Sequence, residues 1–346
     1  MPADVDRYSR QILFQGIGAE GQQRIRAGRV LLCGCGALGS AIADSLVRAG
    51  VGFLRIVDRD FVELSNLQRQ VLFDEQDIAE QLPKAIAAAR KLAKINSDVT
   101  LDPLVADIDH TNILALADGV DLILDGMDNF ETRFLINDAA LERHLPWVYG
   151  GCVGSHGQVL PIIPGETACL RCLIGDVPGP GMTETCDTAG VIGPAVNVVA
   201  ALQVTAALKI LTGQRELLEP VLTIVDVWDG TLRRMSVANL RERSNCPACV
   251  GGARDWLSGN KGSQTTILCG RNAVQVSPPE KRPLSLPELA ARLRSSGEVT
   301  HNPFLVRLTL PGGEFQLTIF ADGRAIIKGT DDITVARSLY ARYVGT

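Results

Sequence analysis

The residues with the most chemical potential fall after three apolar strands. Gly34-Cys35-Gly36-Ala37-Leu38-Gly39 is a G-x-G-x-x-G run, preceded by the apolar Val30-Leu31-Leu32-Cys33 and followed by a helical pattern. In such a loop the glycines let backbone N–H groups approach a phosphate at a helix N-terminus. A second apolar strand, Phe53 to Val57, ends in Asp58, nineteen residues after Gly39, where a carboxylate can accept hydrogen bonds from a ribose. Taken alone, the run also fits a tight strand-to-helix turn that binds nothing. The residues downstream narrow the choice. Asp58-Arg59-Asp60 leads into Ser65-Asn66-Leu67-Gln68-Arg69-Gln70 and then Leu82-Pro83-Lys84-Ala85, which adds an amide, Asn66, and two cations, Arg69 and Lys84. A nicotinamide site has little use for cations beyond the pyrophosphate, whereas a triphosphate under attack needs its developing charge neutralised.

A second chemistry is carried by sulfur. Cys169-Leu170-Arg171-Cys172 and Cys246-Pro247-Ala248-Cys249 are C-x-x-C pairs with 73 residues between them. Four thiolates in tetrahedral array make a structural zinc site, and the alternative is two redox pairs or disulfides. A zinc ion held by four protein ligands has no position left for a substrate, so its task is to tie the end of the domain to its middle. Cys33, Cys35, Cys152 and Cys269 lie in apolar or strand contexts and read as packing residues. His110, His144, His156 and His301 are dispersed without ligand spacing and are assigned no chemistry.

The elements that must position these groups alternate. Residues 5–28 read as helical with a break at Gly16-Ile17-Gly18. Helices at 38–49, 84–95 and 130–143 are interleaved with strands ending at 57, 105, 124 and 150, and a further strand covers 158–163. Alternation of this kind favours an α/β fold with a mostly parallel, Rossmann-like sheet covered by helices. Ligands in such sheets bind beyond the carboxyl ends of the strands. Gly34, Asp58 and Asp128 all lie just past a predicted strand end, so the fold can bring them to one crevice across 94 positions of sequence. Asp128, followed by Asn129, can cap the next helix, hold a Mg²⁺ ion beside nucleotide phosphates, or do both. The segment 175–190, with four glycines and two prolines, reads as a long surface loop.

Residues 1–250 are expected to form one domain, 251–264 a glycine-rich linker, and 265–346 a small α+β domain of accessory or partner-binding type. In the last, strands at 265–269, 304–310, 315–320 and 325–328 accompany a helix at 285–296 and a closing helix, with Pro311-Gly312-Gly313 and Asp322-Gly323 as turns. At 346 residues, 46% apolar and 21% charged, the chain has ordinary globular composition. A net charge of −5 argues against a general nucleic-acid binder. Nine cysteines without a charged n-region and apolar h-region at the N-terminus point to the cytoplasm. Ala189 to Leu208 lacks charge over a length that spans a bilayer, but Gly193-Pro194, Asn197, Gln203 and Thr205 favour a buried helix in a core or subunit interface.

With these motifs together, the sequence resembles the ThiF/MoeB family, bacterial relatives of the ubiquitin-activating enzymes. The resemblance runs over residues 7–250 through Arg7-Tyr8-Ser9-Arg10-Gln11, the glycine loop, Asp58-x-Asp60, Ser65 to Gln70, Pro83-Lys84, Asp128-Asn129 and both C-x-x-C pairs. Glu184 to Val191 and the tail around Leu268-Cys269-Gly270-Arg271-Asn272 look more like Bacillus-type ThiF than MoeB. It implies ATP-dependent adenylylation of the C-terminal carboxylate of a ubiquitin-like, ThiS-like sulfur carrier, with a molybdopterin-synthase carrier or a tRNA base as alternatives within the family. By the same resemblance, Gly34, Gly36, Gly39, Asp58, Asp60, Asn66, Arg69 and Lys84 bind the nucleotide and Asp128 holds Mg²⁺. Arg10 reaches the partner's triphosphate across a homodimer, unless it is a solvated face charge. Cys186 sits where the family carries a cysteine implicated in sulfur or acyl transfer. Zinc occupies Cys169, Cys172, Cys246 and Cys249, and a cysteine desulfurase or rhodanese supplies sulfur. A nicotinamide oxidoreductase and a non-catalytic carrier-binding scaffold are the readings from other classes.

Overall fold

The computed structural model describes residues 7–176, 189–261, 265–268, 272–277 and 283–344. Cys186, Cys269 and most of the loop expected at 175–190 lie outside them. The chain divides into two compact units, residues 1–261 and 262–346.

The first unit opens with α1 (Ser9–Leu13) and α2 (Gly18–Ala27), then β1 (Arg29–Cys33), α3 (Ala37–Ala49), β2 (Phe53–Val57), α4 (Glu75–Ala79), α5 (Lys84–Ile95) and β3 (Thr100–Leu104). It continues through α6 (Ile113–Leu116), β4 (Leu122–Asp125), α7 (Phe130–Arg143), β5 (Trp147–Val153), β6 (His156–Ile162), α8 (Leu170–Ile174) and α9 (Gly193–Leu211), and closes with β7 (Val221–Asp226), β8 (Thr231–Ser236) and α10 (Leu240–Arg243). Its eight-stranded sheet has the order β3-β2-β1-β4-β5-β6-β7-β8. The pairs from β3 to β5 are parallel, and β5-β6, β6-β7 and β7-β8 are antiparallel. The centre is apolar because β1 is buried from Val30 to Cys33, as a parallel strand covered on both faces must be. The chain order reverses direction at β1, with β2 on one side and β4 on the other, and there the sequence places its glycine loop.

Helix α9 is long and apolar enough to cross a membrane, yet half of its apolar window is buried within the fold. Its small residues Ala195, Ala200 and Ala207 allow it to pack closely on the sheet, and Gln203 is fully buried. Residues 251–261, expected as a linker, belong to the compact first unit. Trp256 is buried against Phe134 with ring centroids 5.7 Å apart, and its backbone N–H donates to Asp138 Oδ2 at 3.0 Å. Glycines around a single buried tryptophan gave the composition of a linker but not its packing.

The second unit carries β9 (Thr265–Leu268), β10 (Ala273–Val276), α11 (Leu286–Leu293), β11 (Glu298–His301), β12 (Leu305–Thr309), β13 (Gln316–Phe320), β14 (Ala325–Lys328) and α12 (Ile333–Tyr343). Its sheet, ordered β11-β12-β13-β14-β10-β9, is antiparallel throughout. Val274, Leu289, Leu293, Leu308, Ile319, Ile327 and Ala336 share its core, so both helices pack on one face. β7, β8, β10 and β11 are strands that sequence patterning did not mark.

Candidate active site

The glycine loop is a close three-way contact of backbones. Gly34 sits at φ +88°, and a Cβ there would stand 2.7 Å from the Gly126 carbonyl. A Cβ on Gly39 would stand 2.1 Å from the Gly34 carbonyl, and one on Gly126 would stand 2.6 Å from the same oxygen. The turn after β1, the start of α3 and the turn after β4 are therefore pressed together where no side chain fits. Gly36 differs, since a Cβ there would meet nothing nearer than Gln70 Nε2 at 4.0 Å. Open space in front of Gly36 at the N-terminus of a thirteen-residue helix is where a phosphate can approach backbone N–H groups. The two glycines separate by substitution. Gly36→Ala is expected to melt like the parent and to bind ATP about tenfold more weakly, while Gly39→Ala loses about 1–3 kcal/mol through overpacking. Thermal melts and ATP titration calorimetry check both, and equal binding by Gly36→Ala and the parent removes the phosphate from this loop.

Beside the loop stands a carboxylate–lysine cluster. Asp58 Oδ2 accepts the Cys35 N–H at 2.6 Å and Oδ1 accepts the Asp60 N–H at 2.7 Å, so the carboxylate expected at a ribose also braces the glycine turn. Burial pushes the Asp58 carboxyl above its ordinary range, and Lys84 opposes that shift. Lys84, at the first position of α5, is 3% exposed with Nζ 3.3 Å from Asp60 Oδ2, and its backbone N–H donates to the Asp60 carbonyl at 2.9 Å. An ammonium held this deeply loses little entropy on meeting a phosphate. Asn66 is 2% exposed, and its Oδ1 accepts the Glu63 N–H at 3.0 Å, which shapes the turn carrying Arg69. Arg69 Nη1 donates to the Ser65 carbonyl at 2.8 Å, and Gly193 at the start of α9 packs against the Gln68 and Arg69 backbone.

Asp128 lies three residues beyond the end of β4 and is exposed. The helix cap falls to its neighbour: Asn129 Oδ1 accepts the Thr132 N–H at 2.9 Å, which leaves Asp128 Oδ1 with Asn129 Nδ2 at 3.3 Å. A hard, exposed carboxylate past a strand end suits Mg²⁺. Behind it lies a buried ion pair that sequence patterning did not reveal. Asp125 Oδ2 accepts from Arg133 Nε at 3.0 Å, and both residues are buried. Gln203 of α9 donates to the Asp125 carbonyl at 2.8 Å. The available signal was an aspartate closing the strand with an arginine eight residues on, on the first turn of the capped helix.

Arg10 is exposed on α1, and it is not joined to this cluster within the chain by any contact among the described residues. Its helix is anchored firmly. Tyr8 is buried over Gly50, its hydroxyl accepts from Asn96 Nδ2 at 2.7 Å, and Gln11 Nε2 donates to the Ala49 carbonyl at 2.9 Å.

The four motif cysteines form one cluster whose sulfurs all lie within 4.8 Å of one another. Sγ–Sγ distances are 3.8 Å for Cys169–Cys172, 3.7 Å for Cys169–Cys246 and 3.3 Å for Cys172–Cys249. A tetrahedral zinc with Zn–S bonds of about 2.3 Å requires sulfurs about 3.8 Å apart. A disulfide requires about 2.05 Å, and none of the four is so bonded. The pairing of cysteines 77 positions apart excludes two independent redox pairs. Asn137 of α7 fixes the first knuckle by accepting the Leu170 N–H at 2.9 Å, and Arg254 Nη1 donates to the Ala248 carbonyl of the second at 3.1 Å.

The chain is similar to known proteins along most of its length. A model described as the ThiF family matches residues 8–248. A sulfur carrier protein ThiS adenylyltransferase from Bacillus subtilis is 46% identical over 342 residues, covering 98% of this chain and 99% of that protein. A protein of the same description from Escherichia coli is 38% identical over 253 residues, covering 73% and 98%. Among solved structures, E. coli MccB with MccA-N7isoASN superposes with a TM-score of 0.62 at 25% identity, covering 71% of this chain and 74% of MccB.

Proposed function

The chain belongs to the ThiF family, and from that premise we propose that it is an ATP-dependent adenylyltransferase acting on the C-terminal carboxylate of a ubiquitin-like, ThiS-like sulfur carrier of thiamine thiazole biosynthesis. The observation that carries this reading is the end-to-end match to the Bacillus protein, which includes the second unit. The shorter E. coli relative covers only 73% of the chain.

The reaction is attack by the carrier carboxylate on the ATP α-phosphate with departure of pyrophosphate. A carboxylate is already ionised near neutrality, so no general base is needed. Positioning and charge neutralisation must supply the rate. The N–H groups around Gly36 receive phosphate oxygens, and Lys84 and Arg69 take up the charge that develops as pyrophosphate leaves. Asp58, Asp60 and Asn66 line the nucleotide crevice. Asp128 would hold Mg²⁺, which when bound would supply charge neutralisation to the phosphates. Arg10, projecting from its anchored helix, completes the site of a second copy in a homodimer. Zinc at Cys169, Cys172, Cys246 and Cys249 is structural. Cys186 has no part in adenylate formation, because the carrier supplies its own nucleophile, and its place is in the later sulfur transfer from a cysteine desulfurase or rhodanese. The compartment is the cytoplasm.

The buried Lys84–Asp60 pair and the space over Gly36 favour a triphosphate over NAD. Carrier-dependent exchange of labelled pyrophosphate into ATP tests the assignment. Exchange with a ThiS-like carrier and not with a molybdopterin-synthase carrier fits it, and the reverse preference replaces the proposed carrier.

A further inference from the structure

We propose that Arg133, with Asp125, is a positioning residue that sets the place of Asp128 without touching the substrates; this rests on the metal-holding role proposed for Asp128. The pair grips two residues, Met127 and Gly150, each by both its backbone N–H and its carbonyl. Asp125 Oδ1 accepts the Met127 N–H at 2.9 Å, and Arg133 Nη2 donates to the Met127 carbonyl at 2.6 Å. The same guanidinium nitrogen donates to the Gly150 carbonyl at 3.0 Å, and Asp125 Oδ2 accepts the Gly150 N–H at 3.3 Å. Met127 is thereby locked between the end of β4 and the middle of β5 immediately before Asp128, and Asn129 locks the chain immediately after it by capping α7. On its other side the turn is pinned by Gly126, whose N–H donates to the Cys33 carbonyl at 2.8 Å and whose Cα stands against the glycine loop. Backbone is held on both flanks while the Asp128 carboxylate itself is exposed.

The energetic choice supports a positional role. An aspartate that is fully buried carries a desolvation cost, and burial raises the Asp125 carboxyl above its ordinary range. Apolar residues of similar volume hold a core at least as well as a buried ion pair does. What they cannot supply is three directed N–H donors and a bidentate acceptor set in fixed geometry. Displacing a reacting or metal-holding group by about 1 Å costs about 10²-fold in rate, and the ion pair fixes the Asp128 turn against displacement of that size.

Lysine at position 133 keeps the charge opposite Asp125 but lacks the planar fork, which makes Arg133→Lys the informative variant. In the full-length protein, Arg133→Lys is expected to melt as a folded species, to need about tenfold more Mg²⁺ for half-maximal pyrophosphate exchange, and to exchange more slowly at saturation. In a cycle with Asp128→Ala, the doubly substituted protein is expected within about twofold of Asp128→Ala alone, because one residue acts through the other. Unchanged Mg²⁺ dependence in folded Arg133→Lys overturns the proposal, and so do losses that multiply in the double variant. Should Arg133→Lys fail to fold, Asp125→Asn preserves the shape and an acceptor for Met127, and the same two readouts decide. If the unsubstituted protein shows no exchange with any carrier, the function above fails instead, and the Mg²⁺ dependence of ATP affinity in the same variants then decides for or against the clamp.

Discussion

Replacing Cys169 with serine is expected to strip the protein of zinc and of much of its stability. The thiol is 1% exposed, and its sulfur lies within 3.8 Å of both Cys172 and Cys246, the knuckles that join α8 to the segment after α10. Three thiolates and a hydroxyl hold zinc poorly, and for a structural site metal-binding free energy is folding free energy, about 10–16 kcal/mol in isolated zinc-binding peptides. In a domain with a large separate core the expected loss is smaller, several kcal/mol. The loss extends beyond the knuckles, because Asn137 and Asp138 on α7 accept from Leu170 and Trp256. Elemental analysis should give one zinc per chain in the parent and a small fraction of that in Cys169→Ser, together with a lowered melting temperature. Equal melting temperatures for zinc-loaded and zinc-stripped parent would take the cluster out of the fold's stability.

The second large effect is chemical and leaves the fold alone. Asp128→Ala removes an exposed carboxylate whose only hydrogen bond among the described residues is to the Asn129 amide, and the cap to Thr132 belongs to Asn129. Stability should therefore move by less than about 0.5 kcal/mol. Exchange of pyrophosphate into ATP should fall by about 10²- to 10³-fold, the usual result of deleting one partner of transition-state charge. A folded Asp128→Ala protein with undiminished exchange removes Asp128 from the site.

Much of this arrangement was legible in the sequence because it depends on local rules. A buried parallel strand reads as Val-Leu-Leu-Cys, its loop as spaced glycines, and the four-cysteine cluster as paired knuckles, since each signal lies within a few residues. The long-range groups were not legible. Asp125 and Arg133 look like a strand end and a helix-surface cation, and only the meeting of β4, β5 and α7 turns them into a buried clamp. Asn129, rather than Asp128, caps α7, a choice between adjacent residues that either could make. The unmarked strands have physical reasons too. All six residues of β8 are exposed, including Arg233 and Arg234, so no apolar alternation marks it. β11, Glu-Val-Thr-His, is a short polar edge strand. Residues 251–261 carry linker composition, and one buried tryptophan was too small a signal to place them in the core.

The most direct test of the proposed chemistry is exchange of labelled pyrophosphate into ATP by the full-length, zinc-loaded protein, measured with no carrier, with a ThiS-like carrier, and with the same carrier lacking its C-terminal residue. Exchange is expected only with the intact ThiS-like carrier and Mg²⁺, together with a carrier mass increased by one adenylate when pyrophosphate is removed. Tight binding of NAD with no binding of ATP, or no exchange with any intact carrier, would contradict the assignment.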